Sequence, residues 1–246
     1  MIRCLLVCSL LIFNLSSLQA NDLLVDQLKT FNSKVQKAGA LDYKENCSEC
    51  GLSENQTDSL YTLYSALNKK SVKLSVLTEG RAIEVFNKLR SDEDIPFNYP
   101  LDGCYARAHK MAMNMDDMGI ISGKAFIEGD LYVNTKLGEV GWSYHVASIV
   151  IVKKNGKMIP TVIDPALFNH PVSYNEWKTL LLKNPNSKMV SEYFTKRFNF
   201  DPDTRHADLL DYAEDDIESM NQINRSNGRL GEMLQMTQKL NAKGLK

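Results

Sequence analysis

The sequence predicts an α+β fold in which a cysteine opens a helix packed on an antiparallel sheet that carries a histidine and an aspartate. Three observations point there. WSYHVASIVIVKK and MIPTVID are β-branched, alternating segments joined through Asn155-Gly156, a pair that favours a tight hairpin. Cys104, Ala108, Met111, Met115 and Met118 recur at helical spacing and form one apolar stripe. Amphipathic helical segments flank both.

Composition bounds the class. The 246 residues are 43% hydrophobic and 24% charged, which suffices for one good core and excludes a collagen-like or low-complexity chain. A net charge of -1, with acids and bases interleaved, lacks the basic stripe of a nucleic-acid binder, so no nucleic-acid partner is expected. Residues 1 to 20, MIRCLLVCSLLIFNLSSLQA, have Arg3, a short apolar run and a small-residue exit at Ala20, which reads as a secretory signal peptide. No later run approaches the roughly 20 apolar residues of a membrane span, so a secreted or periplasmic protein without stable membrane association is expected.

Cleavage after Ala20 would leave Cys47, Cys50 and Cys104. The natural disulfide joins Cys47 to Cys50 in ENCSEC, and Cys104 remains as a free thiol. A zinc site at that pair lacks a second Cys or His pair at matching spacing, so no metal is expected.

Residues 21 to 72 read as a helical N-terminal segment, a possible pro-segment, with helices expected over residues 23 to 39 and 57 to 70; residues 73 to 246 are the expected catalytic domain. A helix is expected from Thr78 to Leu89, and another from Asp102 to about Met118, with Asp102 capping its first turn. AFIEGDLYV reads as a strand or two short ones, and Pro160 suggests an edge or bulge in the return strand of the hairpin. From Tyr174 onward, YNEWKTLLLK, HADLLDYAEDDIESMNQI and LGEMLQMTQKL read as helices.

Geometry then selects the partners of Cys104. His109 lies five residues along the same helix, about 140° round its axis, and faces away. A two-residue turn at Asn155-Gly156 opposes Lys154 to Lys157 and Ala147 to Asp164, which puts His145 and Asp164 on one face as diagonal neighbours, about 7–8 Å apart at the backbone. A thiol at a helix start, an imidazole and an orienting carboxylate are what nucleophilic cysteine catalysis needs.

The strings YPLDGCYARAHKM, WSYHVA and VIDPALF resemble the motif blocks of the bacterial protein glutaminases, enzymes of the transglutaminase-like, papain-related cysteine superfamily. The resemblance covers roughly residues 80 to 215 and implies a transglutaminase-like core with Cys104 as nucleophile, His145 as base and Asp164 as orienting carboxylate. It implies a secreted zymogen that deamidates protein-bound glutamine to glutamate with release of ammonia through a thioester. Its substrates would be proteins or peptides with accessible glutamine; no cofactor is needed, and a monomer is expected. Trp142 is a candidate substrate-channel residue. A cysteine peptidase, a cell-wall amidase or a transglutaminase would use the same triad. One departure is that Cys104 is the last cysteine of the chain, whereas the family's catalytic domain is stapled by disulfides.

Overall fold

The computed structural model describes residues 59 to 242, so the signal peptide, the helix expected over residues 23 to 39 and the Cys47–Cys50 pair lie outside the described residues. Seven strands form one sheet in the order β1-β2-β4-β3-β7, with β5 on β4 and β6 on β5. Strands β1 (Leu60–Ser65) and β2 (Lys70–Thr78) form an antiparallel hairpin, and helix α1 (Glu79–Arg90) follows directly. Helix α2 (Cys104–Asp117) precedes the long antiparallel pair β3 (Gly123–Thr135) and β4 (Gly138–Lys154). Then come β5 (Lys157–Ile163), β6 (Val172–Ser173), helix α3 (Tyr174–Leu181), β7 (Lys188–Lys196) and the 29-residue helix α4 (Glu214–Ala242).

Four expectations need correction. Of the helix expected over residues 57 to 70, the described part, 59 to 70, is not helical: alternation, with Leu63 and Ser65 inward on β1 and Val72, Leu74 and Val76 inward on β2, wins because these side chains complete the sheet's core. The boundary at residue 72 therefore falls inside a core strand. The sheet is mixed and not purely antiparallel, since Val76–Thr78 runs parallel to Ile151–Lys153 of β4. In the C-terminal part, residues 206 to 213 are non-helical, and the two helical patterns beyond them merge into α4.

The elements that position the site follow from local signals. Thr78 caps α1 by accepting from the Arg81 N–H at 3.2 Å, and Ser173 caps α3 through Glu176 at 3.2 Å. The β4–β5 hairpin turns on Asn155 and Gly156, both at positive φ (50° and 76°), and pairs Lys154 with Lys157 and Ser148 with Ile163, the register expected. Pro160 pairs with Ile151, in the part of β5 that the two-residue β6 leaves uncovered.

Each sheet face buries its own cluster. Val146, Val150 and Ile163 pack with α1 and with Cys104, Ala108, Met111 and Met115 of α2. Ala147, Ile149 and Val162 pack on the other side with Trp177 and Leu181 of α3. Helix α4 lies against α2, where Met220 and Phe200 cover Ala106.

The register of β3 slips at Gly129, a bulge held at φ +144° where a Cβ would overlap the Lys188 carbonyl. Gly138, at φ +103°, has open space around it. Gly129→Ala is therefore expected to cost about 3 kcal/mol and Gly138→Ala about 1 kcal/mol in urea unfolding. Equal costs would contradict the close approach at the bulge.

Candidate active site

Cys104 is the first residue of α2 and is 7% exposed. Gly103 before it adopts φ +78°, a conformation that costs a glycine little and turns the chain sharply into the helix. Asp102 does not cap the first helical turn as expected; its carboxylate accepts from the neighbouring Gly103 N–H at 2.6 Å. The helix is tied to β4 by Ser148, whose hydroxyl donates to the Ala108 carbonyl at 3.2 Å.

His145 and Asp164 meet as the hairpin register requires, Nε2 to Oδ2 at 2.8 Å, with His145 1% and Asp164 4% exposed. β5 stops at Ile163, opposite Ser148, so Asp164 sits just past its end, and β4 is unpaired on that side at His145. By strand alternation His145 belongs with Ala147 and Ile149 on the α3 face, whereas Cys104 is buried among the α2-side residues. The edge of β4 at His145 is thus left open toward β5, between the two layers.

Two tryptophans hold the imidazole. Trp142 stacks on it at 4.7 Å between centroids and 19° between planes, and its indole N–H donates to the Leu101 carbonyl at 3.1 Å, tying the ring to the loop before Cys104. Trp177 lies 5.7 Å from the imidazole and donates to Asp164 Oδ2 at 2.9 Å. Trp142, the candidate channel residue, is thus a wall of the imidazole.

The electrostatics follow from burial and pairing. Burial alone would depress His145, but the charge and hydrogen bond of Asp164, aided by Cys104, outweigh it and raise His145 to about 9. Burial pushes Asp164 up, yet the imidazole, the Trp177 N–H and the Arg107 charge bring it below its ordinary value. Burial first, then the charges of Asp102 and Cys104, raise Tyr105; burial, then Cys104, raises Tyr144, so both phenols face the thiol's surroundings in neutral form.

His109 is elsewhere, as helical phase predicts. Its Nδ1 meets Lys124 Nζ at 2.8 Å, and burial with that lysine's charge lowers it to about 2. Lys124, fully buried, also donates to the Asn199 carbonyl at 2.5 Å, and burial lowers it to about 7.

Sequence reasoning missed two residues. Arg107 is 2% exposed and donates to the Tyr99 and Asp102 carbonyls at 3.0 and 2.6 Å. Its signal was available, because an arginine three residues after Cys104 falls near the inward stripe of α2. Trp177 gave none beyond being an apolar helix residue.

A buried His–Asp pair and a buried cysteine at a helix start, on a mixed α+β fold, fit the class of candidate cysteine-nucleophile enzymes. A family model described as "Glutaminase" matches residues 82–181. Among solved structures, the chain resembles a pro-protein-glutaminase crystal structure at 28% identity and TM-score 0.55, covering 63% of this chain and 59% of that one. It also resembles the NMR structure of protein-glutaminase from Chryseobacterium proteolyticum, at 29% identity and TM-score 0.51, over 59% of this chain and 85% of that one. A protein-glutaminase crystal structure matches at 27% identity and TM-score 0.50, over 61% and 89% of the two chains. No curated protein matches by sequence. The proteins these comparisons liken the chain to are the protein glutaminases. The chain spans about three fifths of the pro-protein-glutaminase it resembles.

The ion pair makes stability depend on pH in both directions. Asp164, lowered on folding, contributes stability that is present above the ordinary carboxylate range and lost as pH falls through its folded value. His145, raised to about 9, contributes stability that is full below its unfolded value of about 6.5 and lost as pH rises through 9. Asp164→Asn should therefore lower the melting temperature most between about pH 5 and 6.5 and much less above pH 9. A loss independent of pH would contradict the pairing.

Proposed function

We propose that the protein is an exported protein-glutamine deamidase that uses Cys104, His145 and Asp164 on a transglutaminase-like core. The observation that carries this reading is the 2.8 Å His145–Asp164 bond beside a thiol at a helix start, in a chain matching the "Glutaminase" model over the segment that holds all three.

In the proposed reaction the Cys104 sulfur attacks the side-chain carboxamide carbon of a protein-bound glutamine, forming a C–S bond. The negative oxygen of the tetrahedral intermediate is met by backbone N–H groups at the start of α2. The imidazolium of His145 protonates the amide nitrogen, the C–N bond breaks, and ammonia leaves a γ-glutamyl thioester. Neutral His145 then takes a proton from water, whose oxygen attacks the thioester; the C–S bond breaks, the new glutamic acid ionises as it departs, and the Cys104 thiolate is left beside the His145 imidazolium for the next cycle. Asp164 holds the ring in the tautomer that leaves Nδ1 facing the thiol and stabilises its charged form. Trp142 and Trp177 exclude water from the ring faces. No step calls for a metal or organic cofactor.

The zymogen reading takes a new boundary. Leu63, Val72 and Leu74 are core residues, so a segment removed on maturation would have to end before Leu60. N-terminal sequencing of the secreted active protein should find a start between residues 21 and 59; a start beyond β1 would contradict the core role of the hairpin.

The test of function incubates the mature protein with a glutamine-rich protein and follows ammonia and product mass. Ammonia with unbroken, unlinked chains is expected; new termini would indicate a peptidase, and cross-links a transglutaminase. Cys104→Ala should lower ammonia release at least about 10³-fold, and Asp164→Asn by a similar order, since members of a triad act as a unit. Activity retained in Cys104→Ala would refute the nucleophile.

A further inference from the structure

The peptide unit joining Asp102 to Gly103 is held at both ends. Its N–H donates to the Asp102 carboxylate at 2.6 Å. Its carbonyl accepts from two side chains, Arg107 Nη1 at 2.6 Å and Asn227 Nδ2 at 3.3 Å. Arg107 and Asn227 are 2% and 5% exposed, so neither bond competes with bulk water.

This peptide is intrinsically free to flip. Gly103 sits at φ +78° and, lacking a Cβ, would occupy negative φ about as readily, so reversing the Asp102–Gly103 plane costs little intrinsically. The turn that this peptide forms leads directly into Cys104, the first residue of α2, so whatever anchors the turn also anchors the start of the helix. Helix α4 approaches this turn as closely as a glycine permits, because a Cβ on Gly103 would overlap the Asn227 amide and press on Ile223.

We propose that Asn227 on α4 and Arg107 on α2 are positioning residues that lock the Asp102–Gly103 peptide, and through it the thiol and oxyanion-directed N–H of Cys104. α4 is thereby part of the catalytic apparatus although no residue of it touches the substrate amide. The inference rests on the reading of Cys104 as nucleophile. Two donors converging on one buried carbonyl are more than backbone satisfaction requires. Asn227→Asp removes the donor and sets an oxygen against the Asp102 carbonyl, and Asn227→Leu keeps the volume without the polarity. Met236→Ala, on an exposed part of the same helix, is the control.

For both Asn227 variants kcat of deamidation should fall about tenfold with KM within about twofold, the tenfold corresponding to about 1.4 kcal/mol of transition-state stabilisation. Alkylation of Cys104 by iodoacetamide should slow at neutral pH, with its pH–rate profile displaced to higher pH; the control should match the wild type. Thermal unfolding measured alongside separates positioning from folding. An unaltered alkylation profile overturns the proposal, whether kcat is unaltered too or falls only in proportion to the folded fraction. Absence of ammonia release by the wild type would sink the deamidase reading instead, and the alkylation profiles would still decide the lock.

Discussion

The buried ion pair between His145 and Asp164 is the constraint around which the rest is arranged. Removing two charges from water costs several kcal/mol per ion, and an attraction between them repays this only where the geometry is good and the remaining lone pairs are satisfied. The geometry is good: the contact is 2.8 Å, the same carboxylate oxygen takes a second donor from Trp177, and the positive charge of Arg107 lies nearby. Each depends on an element lying where it does. The hairpin register sets the aspartate, α3 brings Trp177, and α2 carries Arg107.

The sheet edge supplies the second requirement, an approach for the proposed nucleophile from a different layer. Had β5 continued past Ile163, its pairing would have closed the edge of β4 at His145 and left the thiol and imidazole on opposite sides of a continuous ladder. By stopping there, the strand turns Asp164 into a strand-end residue and opens the path by which α2 and α3 residues converge. Trp142 bridges the layers, with its ring on the imidazole and its N–H on the carbonyl of Leu101.

How far this was legible in the sequence depended on the range of the forces involved. Asn155-Gly156 encodes its turn locally, and the turn determines which residues oppose each other, so the meeting of His145 and Asp164 could be worked out without a structure. Helical phase excluded His109 in the same way. The β1–β2 hairpin was illegible because residues 57 to 70 carry an apolar spacing that suits a helix; strand pairing wins only when β4 lies alongside to receive Val76–Thr78. The place of α4 was hidden for a related reason. Asn227 and the glycines at 228 and 231 are poor helix formers whose value lies in the surfaces they meet, Asp102, Pro96 and Asn98, more than a hundred residues away.

That separation has a consequence for when the thiol becomes armed. The amide of Asn227 and the carbonyl it holds are 125 residues apart in sequence, so chain synthesis leaves the turn before Cys104 without one of its two side-chain donors until α4 has been made. Contacts of such separation also form late in folding, after the local hairpins and helices. A cysteine held this way acquires its final orientation together with the completed fold, and a truncated or half-folded chain carries the three residues of the proposed triad without that support.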